Sequence, residues 1–208
     1  MANKEKISNY LDELYPNARC ELNYHSLFEL LIAVILSAQT TDIAVNKVTK
    51  ELFEKYPSPE LLAMAKQEEV EQIIKPIGLY KNKTKNIIAT AKVLTNNYDN
   101  VVPNSLEELT KLPGVGRKTA SVVLVEGFKL PAFPVDTHVA RVSKRLNLVQ
   151  ENDSILIIEQ KLKKLFNKKS WGKIHHQLIH FGRYFCKARN PNCQACKLQD
   201  DCKYFTKN

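Results

Sequence analysis

The sequence contains no apolar run long enough to cross a membrane. Its longest, Leu27 to Leu36 with only Glu29 interrupting, is about half of the roughly 20 residues a spanning helix needs, and it reads as a buried core helix. The opening residues MANKEKISNY lack both an apolar segment and a small-residue cleavage site, so no secretory signal is predicted and the chain is expected inside the cell. Strand patterns are nearly absent, as are internal repeats and low-complexity tracts. With 44% hydrophobic and 25% charged residues, the composition excludes disorder. A reducing compartment makes the five cysteines poor disulfide candidates and moves them toward metal binding, catalysis or packing.

The 208 residues suffice for one large or two modest domains with a real core. Acidic side chains are scarce in one half only. Residues 1–104 carry 12 basic and 13 acidic side chains and residues 105–208 carry 19 and 9, within a net charge of +9. A polyanionic partner is therefore expected to meet the C-terminal half.

Helical periodicity dominates, and capping signals mark where helices begin. Asp42 opens an amphipathic run to Tyr56, Ser58-Pro59-Glu60 is a cap with proline at the first helical position, and Ser105 with Glu108 forms a capping box. Further helices fit Glu68 to Ile74, Lys83 to Leu94, Ser154 to Phe166 and Trp171 to Tyr184, with breaks at Pro76-Ile77-Gly78, Pro103 and Asn167 to Ser170. About nine or ten helices are expected. Between Phe128 and Val135, Pro131 and Pro134 prevent helix and make an extended crossover, a candidate domain junction.

Residues 106–126, LEELTKLPGVGRKTASVVLVE, predict a helix-hairpin-helix. Pro113 stops the first helix, and Gly114 and Gly116 permit positive φ and close backbone approach, so successive N–H groups can point outward together. Such donors at the positive end of a helix suit a DNA backbone phosphate without reading sequence. An αα-hairpin that merely needs two glycines to turn is the alternative, and the adjacent Arg117 and Lys118 favour DNA. Lys118 falls in the first turn of the second helix, where the helix dipole and Arg117 both disfavour a cation. That is the direction a nucleophilic amine requires, although from the spacing alone a solvated lysine touching one more phosphate is the favoured reading. Asp136, eighteen residues on, opens the next helix. It reads as an N-cap that can also be a charge partner for a nucleophile. His138 reads as a structural hydrogen-bonder.

Cys186, Cys193, Cys196 and Cys202 follow the spacing C-x6-C-x2-C-x5-C, a strong metal signal. Structural zinc favours two close pairs, and only Cys193 and Cys196 form one, so an iron-sulfur cube fits better and zinc stays the alternative. Lys187, Arg189, Lys197 and Lys203 are interleaved with the ligands, so a metal there would pin a basic loop. Cys20 reads as a buried small hydrophobe.

Together, the segments LPGVGRKTA, VDTHVARV, SAQTTD, PIGLY and HHQLIHFGRYFCKARNP with the four-cysteine tail closely resemble the endonuclease III family, bifunctional DNA glycosylases and abasic-site lyases of base-excision repair. The resemblance spans nearly the whole chain. It implies an all-α, two-lobed helix-hairpin-helix glycosylase fold with an iron-sulfur cluster loop at the C-terminus. A six-helix barrel would span 22–131, and a discontinuous helical domain 1–21 with 132–208, its four-Cys loop at 186–202. It further implies that Lys118 is the amine that attacks C1′ of the damaged nucleotide and forms a Schiff base, that Asp136 is the carboxylate supporting it, and that the four cysteines hold a 4Fe-4S cluster. Gln39 and Leu79 match residues that enter the duplex when the lesion is flipped out, while Gly114, Gly116, Arg117, His138, Lys187 and Arg189 fall to DNA binding. Ser121 stands where many members have Asn.

The expected substrate is duplex DNA with a damaged, oxidised pyrimidine or an abasic site. The chain is expected to act as a monomer, without a membrane, at the nucleoid of a bacterial or archaeal cytoplasm. A monofunctional glycosylase of the same superfamily, acting on adenine mismatches or another lesion, is the rival enzyme. A non-enzymatic hairpin module, in which Lys118 is one phosphate contact among several, is the rival binder.

Overall fold

The computed structural model describes residues 3–207, and among them it contains eleven α-helices and no strand. The chain divides into two compact units, one of Glu21–Leu130 and one of Met1–Cys20 with Pro131–Asn208.

In the Glu21–Leu130 unit, α2 (Leu27–Leu36) is the apolar run identified above, and every residue from Phe28 to Leu36 is buried. It is surrounded by α3 (Asp42–Lys55), α6 (Tyr80–Asn97) and α8 (Arg117–Glu126), while α4 (Pro59–Ala63) and α5 (Gln67–Ile74) pack on α6 and α7 (Leu106–Lys111) on α8. A helix apolar on all sides is stable in water only inside such a shell. No described helix is long and apolar enough to cross a membrane.

The caps follow the sequence with small shifts. Ser58 and Ser105, both expected caps, and Ser26, which is not among those expected, each accept a backbone N–H three residues on. The cap of α3 is Thr41, which accepts from the Ala44 N–H, so Asp42 is its first helical residue. At Ser105 only half of the expected box forms, because Glu108 turns its carboxylate to the Tyr98 hydroxyl at 2.6 Å and to Lys111. Helix α6 begins at Tyr80, earlier than apolar spacing suggested, because Leu79 serves as its N-cap in the left-handed region.

The second unit is built on α1 (Lys4–Leu14), α9 (Thr137–Arg145), α10 (Ile155–Leu165) and α11 (Trp171–His180). Ile7, Leu11, Phe133, Val139, Val142, Ile158, Leu162, Leu178 and Phe181 form its core. The expected helix from Trp171 to Tyr184 is not continuous. After His180 it widens into a π turn, Phe181–Phe185, closed by the Cys186 N–H on the Phe181 carbonyl. Gly182 allows α9 to come close at this turn, since a Cβ there would lie 2.9 Å from His138 Cβ and 3.2 Å from Val142 Cγ2. The break at Asn167 to Ser170 contains a short 3-10 turn, Lys168–Ser170. Cys20 is half-buried rather than buried.

Candidate active site

The turn Leu112 to Gly116 joins α7 to α8 and is fixed from below by α6. Thr90 donates its hydroxyl to the Pro113 carbonyl at 2.7 Å. Gly114 has φ of +73°, and a Cβ there would lie 2.8 Å from Asn86 Cβ. Gly116 departs from expectation: its φ is −86°, it is the extended N-cap of α8, and nothing lies within 4 Å of where its Cβ would be. Its lack of a side chain keeps the approach open rather than permitting a left-handed turn. No side chain caps α8, so first-turn N–H groups carry the positive end of the helix toward solvent. Arg117 and Lys118 are the first two residues of α8, and both are exposed.

Gly114→Ala combines an L residue at positive φ with a contact against Asn86, and it is expected to lower stability by about 1–3 kcal/mol and to weaken duplex binding. Thermal melting and fluorescence anisotropy on undamaged duplex check this. Unchanged melting would show that neither the positive φ nor the Asn86 contact restricts this position.

Gln39 and Leu79 are two of seven non-glycine residues with positive φ among the described residues. Both are exposed, and both adopt left-handed φ, 54° and 59° respectively. Such conformations cost of order 1–3 kcal/mol each in a non-glycine residue and persist where the surroundings enforce them, commonly at functional sites. Leu79, not the preceding Gly78, takes the left-handed conformation in the PIGLY turn.

In the other unit, Asp136 caps α9, its Oδ1 accepting the Val139 N–H at 2.8 Å. Oδ2 takes no part in the cap. His138, the second residue of α9, is half-buried with Nδ1 3.3 Å from Arg141 Nη2. Burial pushes its pKa down, and the Asp136 charge opposes that shift.

Two arginines of α9, which sequence reasoning missed, hold the start of the cysteine loop. Arg141 donates to the Gly182 carbonyl at 2.8 Å and the Cys186 carbonyl at 3.3 Å, so it serves acceptors next to the π turn. Arg145 donates to the Lys187 carbonyl at 2.7 Å, the Ala188 carbonyl at 3.1 Å and Cys186 Sγ at 3.3 Å, while its guanidinium lies 3.9 Å from the Tyr204 ring centre. The signal available in sequence was their i, i+4 spacing on a helix followed by a basic cysteine loop.

Cys186 and Cys202 are buried and Cys193 and Cys196 half-buried, and all four line one cavity with Leu146, Phe181, Phe185 and Tyr204. Among the described residues, no group of three His, Cys, Asp or Glu side chains converges as a single metal ion would require. Four thiols around one apolar cavity fit a polynuclear cluster whose irons each take one thiolate. Burial pushes the Cys193 and Cys196 thiols up, a shift that iron ligation reverses by stabilising the thiolate. Lys187 and Arg189 are exposed on this loop.

Residues 32–168 match the family described as HhH-GPD superfamily base excision DNA repair protein, which with the hairpin geometry makes this a base-excision DNA-repair protein of the helix-hairpin-helix class. Residues 186–202 match the iron-sulfur binding domain of endonuclease III. Endonuclease III of Bacillus subtilis (strain 168) is 49% identical over 206 residues, covering 98% of this chain and 94% of the relative. The structure of a trapped endonuclease III-DNA covalent intermediate, an estranged-adenine complex, superposes with a TM-score of 0.95 at 48% identity, covering 100% of this chain and 99% of that one. A non-covalent endonuclease III-DNA complex gives a TM-score of 0.95 at 50% identity, covering 100% and 98%. The chain belongs to the endonuclease III family, and it is a 4Fe-4S protein with DNA glycosylase and lyase activity.

Proposed function

We propose that the enzyme removes oxidised pyrimidines from duplex DNA and then cleaves the strand at the resulting abasic site, with Lys118 as nucleophile and Asp136 as its supporting carboxylate. The observation that carries the reading is the first turn of α8, where an exposed lysine follows Arg117 and N–H groups that no side chain caps. A strand phosphate held by those N–H groups would bring a deoxyribose within reach of a lysine two residues past the cap.

In that reading the neutral Lys118 amine attacks C1′. The glycosidic C1′–N bond breaks, its electron pair leaves with the base, and the departing base takes up a proton. Loss of the amine proton and opening of the sugar ring give a Schiff base, after which removal of a C2′ proton expels the 3′ phosphate. Asp136 supplies negative charge as C1′ becomes cationic and accepts the ammonium proton. Gln39 and Leu79 fill the space the extruded nucleotide vacates, an amide and an apolar wedge offsetting an unstacking cost of about a few kcal/mol. Cys186, Cys193, Cys196 and Cys202 are the residues that would hold the cluster. When bound, it supplies a rigid framework for the loop that brings Lys187 and Arg189 to the phosphates. Gly114, Gly116 and Arg117 bind phosphate in the hairpin, and His138 does so from α9. The enzyme works as a monomer on nucleoid DNA.

A duplex with one thymine glycol, one with adenine opposite 8-oxoguanine and an undamaged duplex test the reading. Base release followed by a β-elimination nick is expected on the first alone. Release without nicking would mark a monofunctional glycosylase, and binding with neither would mark a hairpin module.

A further inference from the structure

Lys83 lies in the first turn of α6 and is 4% exposed, yet its ammonium finds a hydroxyl rather than a carboxylate: Nζ donates to Thr40 Oγ1 at 2.6 Å. No carboxylate among the described residues forms an ion pair with it, and burial alone pushes its pKa down. An isolated buried cation is expensive, and an apolar residue of similar volume is commonly as stable or more so. Stability therefore does not account for lysine here.

Its two ends point to what does. The Lys83 backbone N–H donates to the Leu79 carbonyl at 3.0 Å. Its side chain reaches Thr40, the residue after Gln39, and Thr40 is itself bound into the turn, donating its N–H to the Ser37 carbonyl at 3.1 Å and its hydroxyl to the Ala38 carbonyl at 3.4 Å. A hydrogen-bonded chain from Lys83 through Thr40 to Ala38 thus brackets Gln39 on one side, while the same residue closes the helical turn that starts at Leu79. Gln39 and Leu79 are both exposed and both left-handed, as described above.

We propose that Lys83 is a positioning residue that ties the Gln39 turn to the Leu79 turn and holds both tips ready to enter the duplex. This rests on the reading of Gln39 and Leu79 as residues that fill the gap left by the flipped nucleotide. The ammonium supplies what an apolar side chain cannot, a directional bond long enough to span from α6 to the Gln39 turn and strong because it is charged. Preorganised tips spare the ordering that would otherwise accompany base extrusion.

Lys83→Met in the cluster-loaded enzyme tests this, with single-turnover excision of thymine glycol, the fluorescence of 2-aminopurine placed beside the lesion, and thermal melting. The expected result is a melting temperature unchanged or raised, with excision and the 2-aminopurine rise each reduced about tenfold, equivalent to the energy of one coupled contact. In a Gln39→Ala/Leu79→Ala background, Lys83→Met should add no further loss. Thr40→Val, which removes the acceptor and keeps the shape, should reproduce the loss, and combining it with Lys83→Met should not deepen it.

Full excision by Lys83→Met while Gln39→Ala or Leu79→Ala is impaired would overturn the proposal alone, as would an equal loss in both backgrounds. A loss that tracks lowered melting would assign Lys83 to the fold instead. Full excision by Gln39→Ala/Leu79→Ala would remove the reading beneath the proposal and the proposal with it.

Discussion

With Lys118 as the proposed nucleophile, Lys118→Gln is expected to abolish the covalent adduct that borohydride traps on a duplex with one abasic site, and to slow strand cleavage there by on the order of 10³-fold or more. The expectation follows from chemistry and position together. Glutamine's amide nitrogen has no basic lone pair, so neither attack on C1′ nor a Schiff base is available to it. Lys118 is exposed in the first turn of α8, and lysine and glutamine have nearly equal helix propensity, so stability should change by no more than about 0.5 kcal/mol. Melting temperature and visible cluster absorption therefore report an intact protein while the adduct disappears. If the adduct persisted and only the salt dependence of binding weakened, by about one phosphate's worth of slope, Lys118 would be a backbone contact and the nucleophile another amine.

What the sequence makes legible here is residue type at known spacing; what it hides is backbone conformation and contact across the fold. Ser26, Ser58, Ser105 and Asp136 cap helices because a short polar side chain before an apolar periodic run has a local partner three residues on. That information is contained in a few neighbouring letters. The all-helical class follows from the same local signals. Glu108 shows their limit: its pattern promises a reciprocal box, but Tyr98, ten residues upstream, captures the carboxylate. Helix α1 gave no strong signal, its cap being Asn3 and its buried face only Ile7, Tyr10 and Leu11.

At the site, the cysteine spacing and the glycine turn are readable because metal ligation and positive φ restrict residue choice severely. The left-handed Gln39 and Leu79 are unreadable, since neither residue type advertises that conformation. Lys83, Arg141 and Arg145 are hidden for a related reason. A lysine or arginine is mostly a solvated residue by prior, and only their partners at Thr40, Gly182 and Cys186 show otherwise.

Asp136→Asn separates the observed cap from the proposed supporting charge of one carboxylate. Asparagine caps a helix about as well as aspartate, so the bond from the Val139 N–H to the residue 136 side chain should survive and melting should be unchanged. The charge does not survive. Release of an oxidised pyrimidine, in which C1′ becomes cationic, is expected to slow by about 10²- to 10³-fold, the usual consequence of removing one preorganised electrostatic contact. Asp136→Ala removes cap and charge together, and it should match the rate loss of Asp136→Asn while costing about 1 kcal/mol of stability.

The pair of variants also bears on His138. The Asp136 charge counters the burial that pushes the His138 pKa down, so either substitution should lower that pKa further, which a histidine proton titration by NMR reads directly. A neutral His138 at working pH in both wild type and variants would leave the loss of rate to the missing carboxylate. Full turnover by Asp136→Asn would reduce Asp136 to a cap, and the charge supporting Lys118 would have to come from another group.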